Sequence, residues 1–410
     1  MRIGINGRFL IAKQTGVQRA AHNLIKTLFE VDRENEYFVF TGVSQLGRSE
    51  WNYKNVTVVA SNIQEGQNFR NHLWEQLILP RLARKYKVDI LHSPANMAPL
   101  YYTGTSIVHI HDLCFVVNPQ WYSYLFHKVY NFIVPRLAKK STIVITNSNN
   151  SRNDLLQFCE VSADKVRLIY WAVDETFHRL PTGQTLAQVE ETDFILYVGS
   201  LEPRKNIKTL IKAYETLRAD NPDITAKLVL IGGENPLFAD NQLRVKNFGQ
   251  DIVFKGFVSD ELLRAYYRKA AVVAYPSLYE GFGLPPLEAM ACGAPVVTSD
   301  TSSIPEVVGK AAILVDPHDA SALAKELARV ISSPELREKL GRSGQNQVQK
   351  FNWYRVARNV LGVYYEVAGV SGQVDQARPL SVSDWQKLIQ LEQSFLLKHK
   401  NRLESSRPLS

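Results

Sequence analysis

Twice along its 410 residues the chain repeats one rhythm: a short apolar run, a polar turn, then a stretch with apolar residues three and four apart. In the first half the apolar runs are Arg2–Asn6, Tyr37–Thr41, Val56–Ala60, Asp89–His92, Ser106–Ile110, Thr142–Thr146 and Val166–Tyr170, with helical stretches such as Ala20–Phe29 between most of them. In the second half they are Phe194–Gly199, Ala226–Gly232, Ile252–Phe257, Ala271–Tyr275, Pro295–Thr298 and Ala311–Val315. Strands that alternate with helices imply a parallel sheet with helices on both faces. The expectation is an α/β protein with one such body over residues 1–180 and a second over 193–350, joined by a polar linker at 181–192. A late amphipathic helix is expected within 351–370. The tail, 371–410, carries a capping box, Ser381-Val-Ser-Asp384, before an amphipathic stretch with Trp385, Leu388, Ile389, Leu396 and Leu397.

In parallel sheets ligands bind at the carboxyl ends of strands, so the loops that follow strands matter most. The richest is Glu280-Gly-Phe-Gly-Leu-Pro-Pro-Leu-Glu288. Pro285 and Pro286 suit a first helical turn, where backbone N–H groups have no intrahelical partner. Gly281 and Gly283 let the backbone turn sharply and a ligand approach closely. A strand, a glycine loop and a helix N-terminus make an anion site. The flanking carboxylates, Glu280 at the strand end and Glu288 one turn into the helix, suit a ligand that also carries sugar hydroxyls. The same pattern also describes a plain strand-to-helix turn with two solvated glutamates.

Other strand ends add candidates. Ser200-Leu-Glu-Pro-Arg204-Lys205-Asn206 follows a buried run, and Asn206 can cap the next helix. Arg204 and Lys205 would then share a crevice with a helix start, which suits a diphosphate; two solvated bases are the alternative. His111-Asp112 ends a run in which His109 and His111 share a face. There a histidine can hydrogen-bond a sugar hydroxyl while a carboxylate fixes its tautomer or accepts another hydroxyl. Metal binding needs more ligands than this pair offers. The loop Thr15-Gly16-Val-Gln-Arg19 opens a helix and can hold phosphate, or is an ordinary turn.

Charge narrows the partners. The net charge is +8, and residues 1–180 carry 21 Lys and Arg against 14 Asp and Glu. The first half is therefore the side that would meet an anion, whether a membrane surface, a pyrophosphate-linked acceptor or nucleic acid. Two stretches there mix bases with aromatics, Phe69–Lys87 and Trp121–Lys140. Their apolar residues, Phe69, Leu73 and Leu77 in one and Leu125, Phe126, Val129 and Ile133 in the other, are expected to pack on the core, with a basic rim free for lipid. Three scattered cysteines, Cys114, Cys159 and Cys292, favour neither a disulfide framework nor a zinc site and point to a reducing compartment. No apolar run approaches a spanning helix, and Met1–Gly7 reads as a strand and turn, not a leader. A cytoplasmic protein is expected, peripheral at most on the inner membrane face.

The spacing Glu280–Glu288, with its Gly-Phe-Gly and following proline, resembles the E-x7-E signature of retaining nucleotide-sugar glycosyltransferases of family 4. The resemblance spans roughly residues 1–370 and rests on further segments in matching order. Thr15–Arg19 is similar to the family's N-terminal glycine loop, which places Gly16 against donor and acceptor. His111-Asp112 resembles the active-site His-Asp. Lys205 matches the phosphate-binding lysine; Ser200 stands where many members have arginine, with Arg204 the candidate to supply that charge. The resemblance implies the GT-B fold, two Rossmann-like domains with a deep interdomain cleft, and a helix within 351–370 that crosses back to the first domain. It implies sugar transfer from a nucleoside diphosphate to a hydroxyl with retention. His111, Asp112, Glu280 and Lys205 would serve the reaction, and Gly16, Arg204, Val258, Phe282, Gly283, Leu284 and Glu288 would hold substrate. No cofactor is implied, and the chain contains no Asp-x-Asp for a divalent metal.

With Trp74-Glu-Gln76 before Pro80, the chain looks most like bacterial polysaccharide mannosyltransferases. That implies GDP-mannose as donor and a lipid-linked oligosaccharide as acceptor in surface polysaccharide synthesis, with no nucleic-acid partner. Glucosyl and rhamnosyl relatives using UDP- or TDP-sugars share much of the pattern. A nicotinamide dehydrogenase would need G-x-G-x-x-G after a strand, which is not apparent. A non-catalytic glycan- or membrane-binding scaffold would not need both glutamates and Lys205.

Overall fold

The structure, a computed structural model, describes residues 1–12, 16–42, 51–61, 63–66, 68–181, 183–233 and 251–369. The first sheet has seven strands: β1 (Arg2–Asn6), β2 (Glu36–Gly42), β3 (Val56–Ser61), β4 (Ile90–Ser93), β5 (Thr105–His109), β6 (Ile143–Thr146) and β7 (Val166–Leu168). Their order is β3-β2-β1-β4-β5-β6-β7, and every pairing is parallel. The second sheet has six: β8 (Ile195–Val198), β9 (Leu228–Ile231), β10 (Ile252–Gly256), β11 (Val272–Tyr275), β12 (Val296–Ser299) and β13 (Ile313–Val315). They run β10-β9-β8-β11-β12-β13, again all parallel. Each expected apolar run thus holds a strand, because apolar runs such as Ile195–Val198 and Val272–Tyr275 are buried throughout. These are two Rossmann-like α/β domains.

The strand order tells where ligands go. In the first sheet it reverses between β1 and β4; in the second, between β8 and β11. At such a switch point the loops leave to opposite faces and open a crevice at the carboxyl ends. The loops after β8 and β11 are those that carry Lys205 and Glu280.

Three expectations need correction. Residues 68–85 form a helix (Asn68–Leu73), a π turn (Trp74–Ile78) and a second helix (Leu79–Lys85). The buried face is set upstream of the π turn, by Asn71, and is not the one the apolar spacing suggested. Trp74, Glu75, Leu79 and Ala83 face inward, while Leu73 and Leu77, expected in the core, are 44% and 53% exposed. The side chain of Phe69 lies outside the described residues. In the helix Tyr124–Lys140 the buried residues are Val134, Leu137 and Ala138. Phe126 and Ile133 are half-buried, Val129 is exposed, and the Leu125 side chain lies outside the described residues. Finally, Asn206 precedes the helix Ile207–Asp220 in a left-handed conformation (φ 59°) and makes no side-chain cap. Its amide instead donates to the carbonyls of Pro276 (3.0 Å) and Pro317 (2.6 Å), tying three loops together.

The stretch at 181–192 includes a short helix, Gly183–Ala187, and is fastened to the second domain. Thr185 donates to Glu261 (2.8 Å) and Lys269 to the Val189 carbonyl (2.8 Å). Lys255 pairs with Glu191 at 2.6 Å. Both sheets lie in one compact unit, Met1–Leu361. Of the remaining unit, Gly362–Gly369 is described and is helical to Val367, the end of the helix Trp353–Val367. The capping box Ser381–Asp384 and the stretch after it lie outside the described residues. Among the described residues no helix is long and apolar enough to cross a membrane.

Candidate functional site

Glu280 lies in the loop beyond β11, five residues past its last residue and not at the strand end as expected. Its carboxylate accepts four hydrogen bonds: from Lys205 Nζ (2.6 Å), Arg204 Nη1 (2.9 Å), Ser277 Oγ (2.6 Å) and Tyr275 Oη (2.8 Å). Lys205 Nζ also donates to Tyr275 Oη at 2.5 Å. Arg204 is held from behind by Glu202 (2.7 Å). Burial by itself would push the Glu280 carboxyl up, but Lys205 and Arg204 outweigh it and hold the group at about 2. Burial, then the Arg204 charge, draws the Lys205 ammonium below its ordinary range. The result is a cluster of two cations and two carboxylates, Glu280 and Glu202; Lys205 and Glu280 are each 6% exposed and Glu202 5%.

The glycines after Glu280 have separate steric reasons. A Cβ on Gly281 would stand 2.4 Å from the His111 carbonyl, so only glycine lets this loop meet the first domain. Gly283 sits at φ 105° and starts the helix Leu284–Ala291, with proline in its first turn. The N–H groups of Phe282, Gly283 and Leu284 make no hydrogen bond among the described residues, leaving three adjacent donors. Glu288 is one turn further on, half-buried, and accepts from Tyr267 Oη at 3.1 Å. Burial, only partly offset by Arg19, raises its carboxyl to about 7. The two glutamates of one motif are thus driven in opposite directions.

From the first domain, His111 follows β5 and is 2% exposed. Its ring packs 4.3 Å from Trp171, and Nε2 lies 3.0 Å from the Pro94 carbonyl. That acceptor assigns the proton to Nε2 and leaves Nδ1, which has no partner among the described residues, as a bare acceptor. The carbonyl of Pro94, and not Asp112, therefore fixes the tautomer. Burial pushes the imidazole down to about 3, so it is neutral. The Asp112 carboxylate accepts from the Cys114 N–H (3.1 Å), and burial raises its pKa. His109 is also buried, with its ring 5.7 Å from that of His111. Among the described residues no group of three or more His, Cys, Asp or Glu side chains could hold a metal ion.

Gly16 opens the helix Gly16–Val31, and a Cβ there would lie 3.4 Å from Leu284, so the first domain's glycine loop does face the second domain's. Thr15 lies outside the described residues. Val258 is half-buried just after β10, two places from β8 in the sheet.

Several contributors escaped the sequence reading. Ser151 donates to the His111 carbonyl (2.9 Å) and, with Asn147 once its amide nitrogen is turned inward, bridges His111 and Gly281. Tyr279 donates to Asp154 at 2.5 Å. Glu306 accepts from the backbone N–H groups of Asn149 (2.9 Å) and Asn150 (3.2 Å) at the start of the helix Asn149–Phe158, and from Tyr170 Oη (3.0 Å). It lies in the short helix Ile304–Val308 that follows β12. Most of these bonds join residues more than a hundred positions apart, and even the Ser151–His111 bond spans 40, so they leave no local pattern.

Two Rossmann-like domains meeting across a strand-end crevice, with a basic pair and an E-x7-E loop in it, define a GT-B glycosyltransferase. The chain belongs to the family 4 glycosyltransferases: a model described as Glycosyltransferase Family 4 matches residues 14–177, and one described as Glycosyl transferases group 1 matches residues 183–347. Among its relatives is the O-antigen chain mannosyltransferase B of Escherichia coli, 29% identical over 289 residues, 68% of this chain and 75% of that protein. The serotype-specific mannosyltransferase WbdA of Escherichia coli is 28% identical over 264 residues, 62% of this chain but 32% of that protein's length. Among solved structures, sucrose-phosphate synthase of Thermosynechococcus elongatus shares the fold with a TM-score of 0.70 at 23% identity, over 90% of this chain and 100% of that one.

Proposed function

We propose that this glycosyltransferase moves mannose from GDP-mannose to a hydroxyl of a lipid-linked oligosaccharide, with retention, in the synthesis of a bacterial surface polysaccharide. The observation that carries the reading is the pairing of Lys205 and Arg204 with Glu280, the residue that opens the loop whose Phe282–Leu284 N–H groups make no hydrogen bond among the described residues. A departing diphosphate needs preorganised cations and dipoles where its charge develops, and both kinds are present together. Diphosphate entry would draw Lys205 and Arg204 from Glu280, freeing that carboxylate to accept hydroxyls of the transferred sugar. The bare Nδ1 of neutral His111 can accept one more. Asp112 would serve beside it, and Glu288 would anchor the ribose. Gly16 and Leu284 would bracket the donor, and Val258 would meet the base. No protein nucleophile is required if the leaving phosphate takes the acceptor's proton. Mannose is favoured by the mannosyltransferase names of the relatives.

A peripheral contact with an anionic membrane completes the proposal. Along the outer face of the helix Tyr124–Lys140, Tyr124, Lys128, Phe132, Arg136 and Lys140 recur at every fourth position. Tyr124 is 77% and Phe132 54% exposed. Arg136 lies over the Phe132 ring, and Lys140 over Tyr101. Exposed aromatics interleaved with bases suit the headgroup level of an anionic bilayer.

A thermal-shift panel of GDP-, UDP- and TDP-sugars tests the donor. The matching one at a hundred times its dissociation constant should add about 2.7 kcal/mol of stability. A larger shift with a UDP- or TDP-sugar would favour a glucosyl or rhamnosyl transferase. A scaffold would release no nucleoside diphosphate from any of them.

A further inference from the structure

A second cleft, about 940 Å³, lies behind the loop that carries Glu280. Its walls come from the end of β7, the turn after Val308, and the helices Pro334–Val348 and Trp353–Val367. Three cations line it, Lys310, Lys350 and Arg355, against a single carboxylate, Glu306. That carboxylate is already committed: its oxygens accept from Asn149, Asn150 and Tyr170. Among the described residues the Lys350 side chain donates only to the neutral amide of Gln347 (2.7 Å). Among the described residues, the side chains of Lys310 and Arg355 have no hydrogen-bond or ion-pair partner. A concave wall with unneutralised positive charge concentrates anions.

The remaining lining says what kind of anion. Tyr170 and Phe351 present rings whose centroids are 6.0 Å apart and nearly perpendicular, and amides, Asn352 among them, stand beside the cations. Aromatic faces suit the C–H faces of a sugar ring, amides suit its hydroxyls, and a free guanidinium suits a phosphate or carboxylate on it. The volume is within the range of small-molecule sites. We propose that this cleft is a second ligand site, for a saccharide that carries phosphate or carboxylate, and that it fills independently of the donor nucleotide. None of its three cations takes part in the donor site. Its wall is nonetheless shared: Trp171 lines the cleft and packs against His111 and Phe282 (6.1 Å).

The test is calorimetric titration of the full chain with mannose 6-phosphate, glucuronate, neutral mannose and inorganic phosphate, each with and without saturating GDP. Saturable binding of either charged sugar, unchanged by GDP and tighter than both mannose and inorganic phosphate, is the expected result; which of the two binds identifies the anionic group. In a Lys310→Ala/Arg355→Ala double variant that binding should weaken by about ten- to a hundredfold, the scale of a lost charged hydrogen bond, while GDP binding stays as in the wild type. Both positions are exposed, so the variant should fold. Lack of binding by both charged sugars, displacement by GDP, equal binding of inorganic phosphate, or indifference to the double substitution would each overturn the proposal. Should GDP itself not bind, the donor assignment fails, and the titrations without it still decide the cleft.

Discussion

Lys205 Nζ stands 2.6 Å from Glu280 Oε1, although the two residues are 75 positions apart and leave different strands. The switch in strand order between β8 and β11 makes the meeting possible, since adjacent strands send their loops to the same crevice. The pair is buried, and a buried ion pair gains little net stability because desolvation offsets its attraction. A charged pair sealed at a ligand crevice is better understood as a set of groups held ready for charge that arrives with the substrate.

Replacing Lys205 by alanine should therefore lower turnover by roughly 10²–10³-fold, the scale for loss of one preorganised charge stabiliser. Arg204 remains to pair Glu280, so the protein should stay folded, which circular dichroism can check. Lys205→Arg should also be impaired, since a planar fork cannot replace a point charge between Glu280 and Tyr275. Turnover at the wild-type level in the alanine variant would remove Lys205 from the reaction.

Glu306→Ala should destabilise the protein by about 0.5–2 kcal/mol, the range for a lost helix cap. The carboxylate serves the first two N–H groups of the helix Asn149–Phe158 from the other domain. Urea unfolding measures the change. Glu306→Gln, which keeps one acceptor, should recover part of it. Equal stability of the alanine variant would mean that solvent caps this helix as well as Glu306 does.

Sheet membership was legible because these strands are buried: runs such as Val272–Tyr275 cannot be amphipathic helices. The E-x7-E loop was legible because glycine and proline impose their backbone demands locally. The pairing of Glu280 with Lys205 and Arg204 was not, since meeting across a sheet depends on topology. Residues 73–78 misled for a different reason. The apolar i, i+4 spacing picked the wrong phase: Asn71, Glu75, Leu79 and Ala83 recur on the inward face, and Leu73 and Leu77 fall outside it. Asn206 was misassigned because asparagine serves equally as a cap and as a left-handed residue, and only its two carbonyl partners decide between them.

Activity should survive treatment with EDTA. The chain has no Asp-x-Asp, and charge on the leaving diphosphate can be met by Lys205, Arg204 and the loop N–H groups. Loss of activity on chelation, restored by magnesium or manganese, would show that a cation shares that task.

The two glutamates should fail in different ways. Glu280→Ala should mainly slow the chemical step, since its contacts with the sugar matter most in the transition state. Glu288→Ala should mainly weaken nucleotide binding, by about 1.5–3 kcal/mol for a lost charged hydrogen bond. Free GDP separates the cases, because it has the ribose and lacks the sugar. Calorimetry should find near-normal binding in the first variant and weaker binding in the second; the reverse would invert the donor's orientation along the motif.

Glu288 also predicts a pH dependence. Its carboxyl titrates at about 7 in the folded protein against an ordinary value of 4.5, because burial disfavours the charge. A raised carboxyl means that the folded state holds a proton the unfolded chain has released. The stability this adds is complete below the unfolded value and is lost as pH rises through the folded one. Glu288→Gln should therefore gain stability relative to wild type as the pH is raised from about 5 to about 8, measured by urea unfolding at each pH. Ribose hydroxyls need the ionised carboxylate as acceptor, so nucleotide binding should run the other way. The ratio of wild-type to Glu288→Gln affinity for GDP should climb between about pH 6 and about pH 8, with its midpoint near 7. Titration of the GDP phosphate is common to both proteins and cancels in the ratio. A ratio that stays flat would take Glu288 away from the ribose, while a stability difference that still changed with pH would leave its buried carboxyl in place.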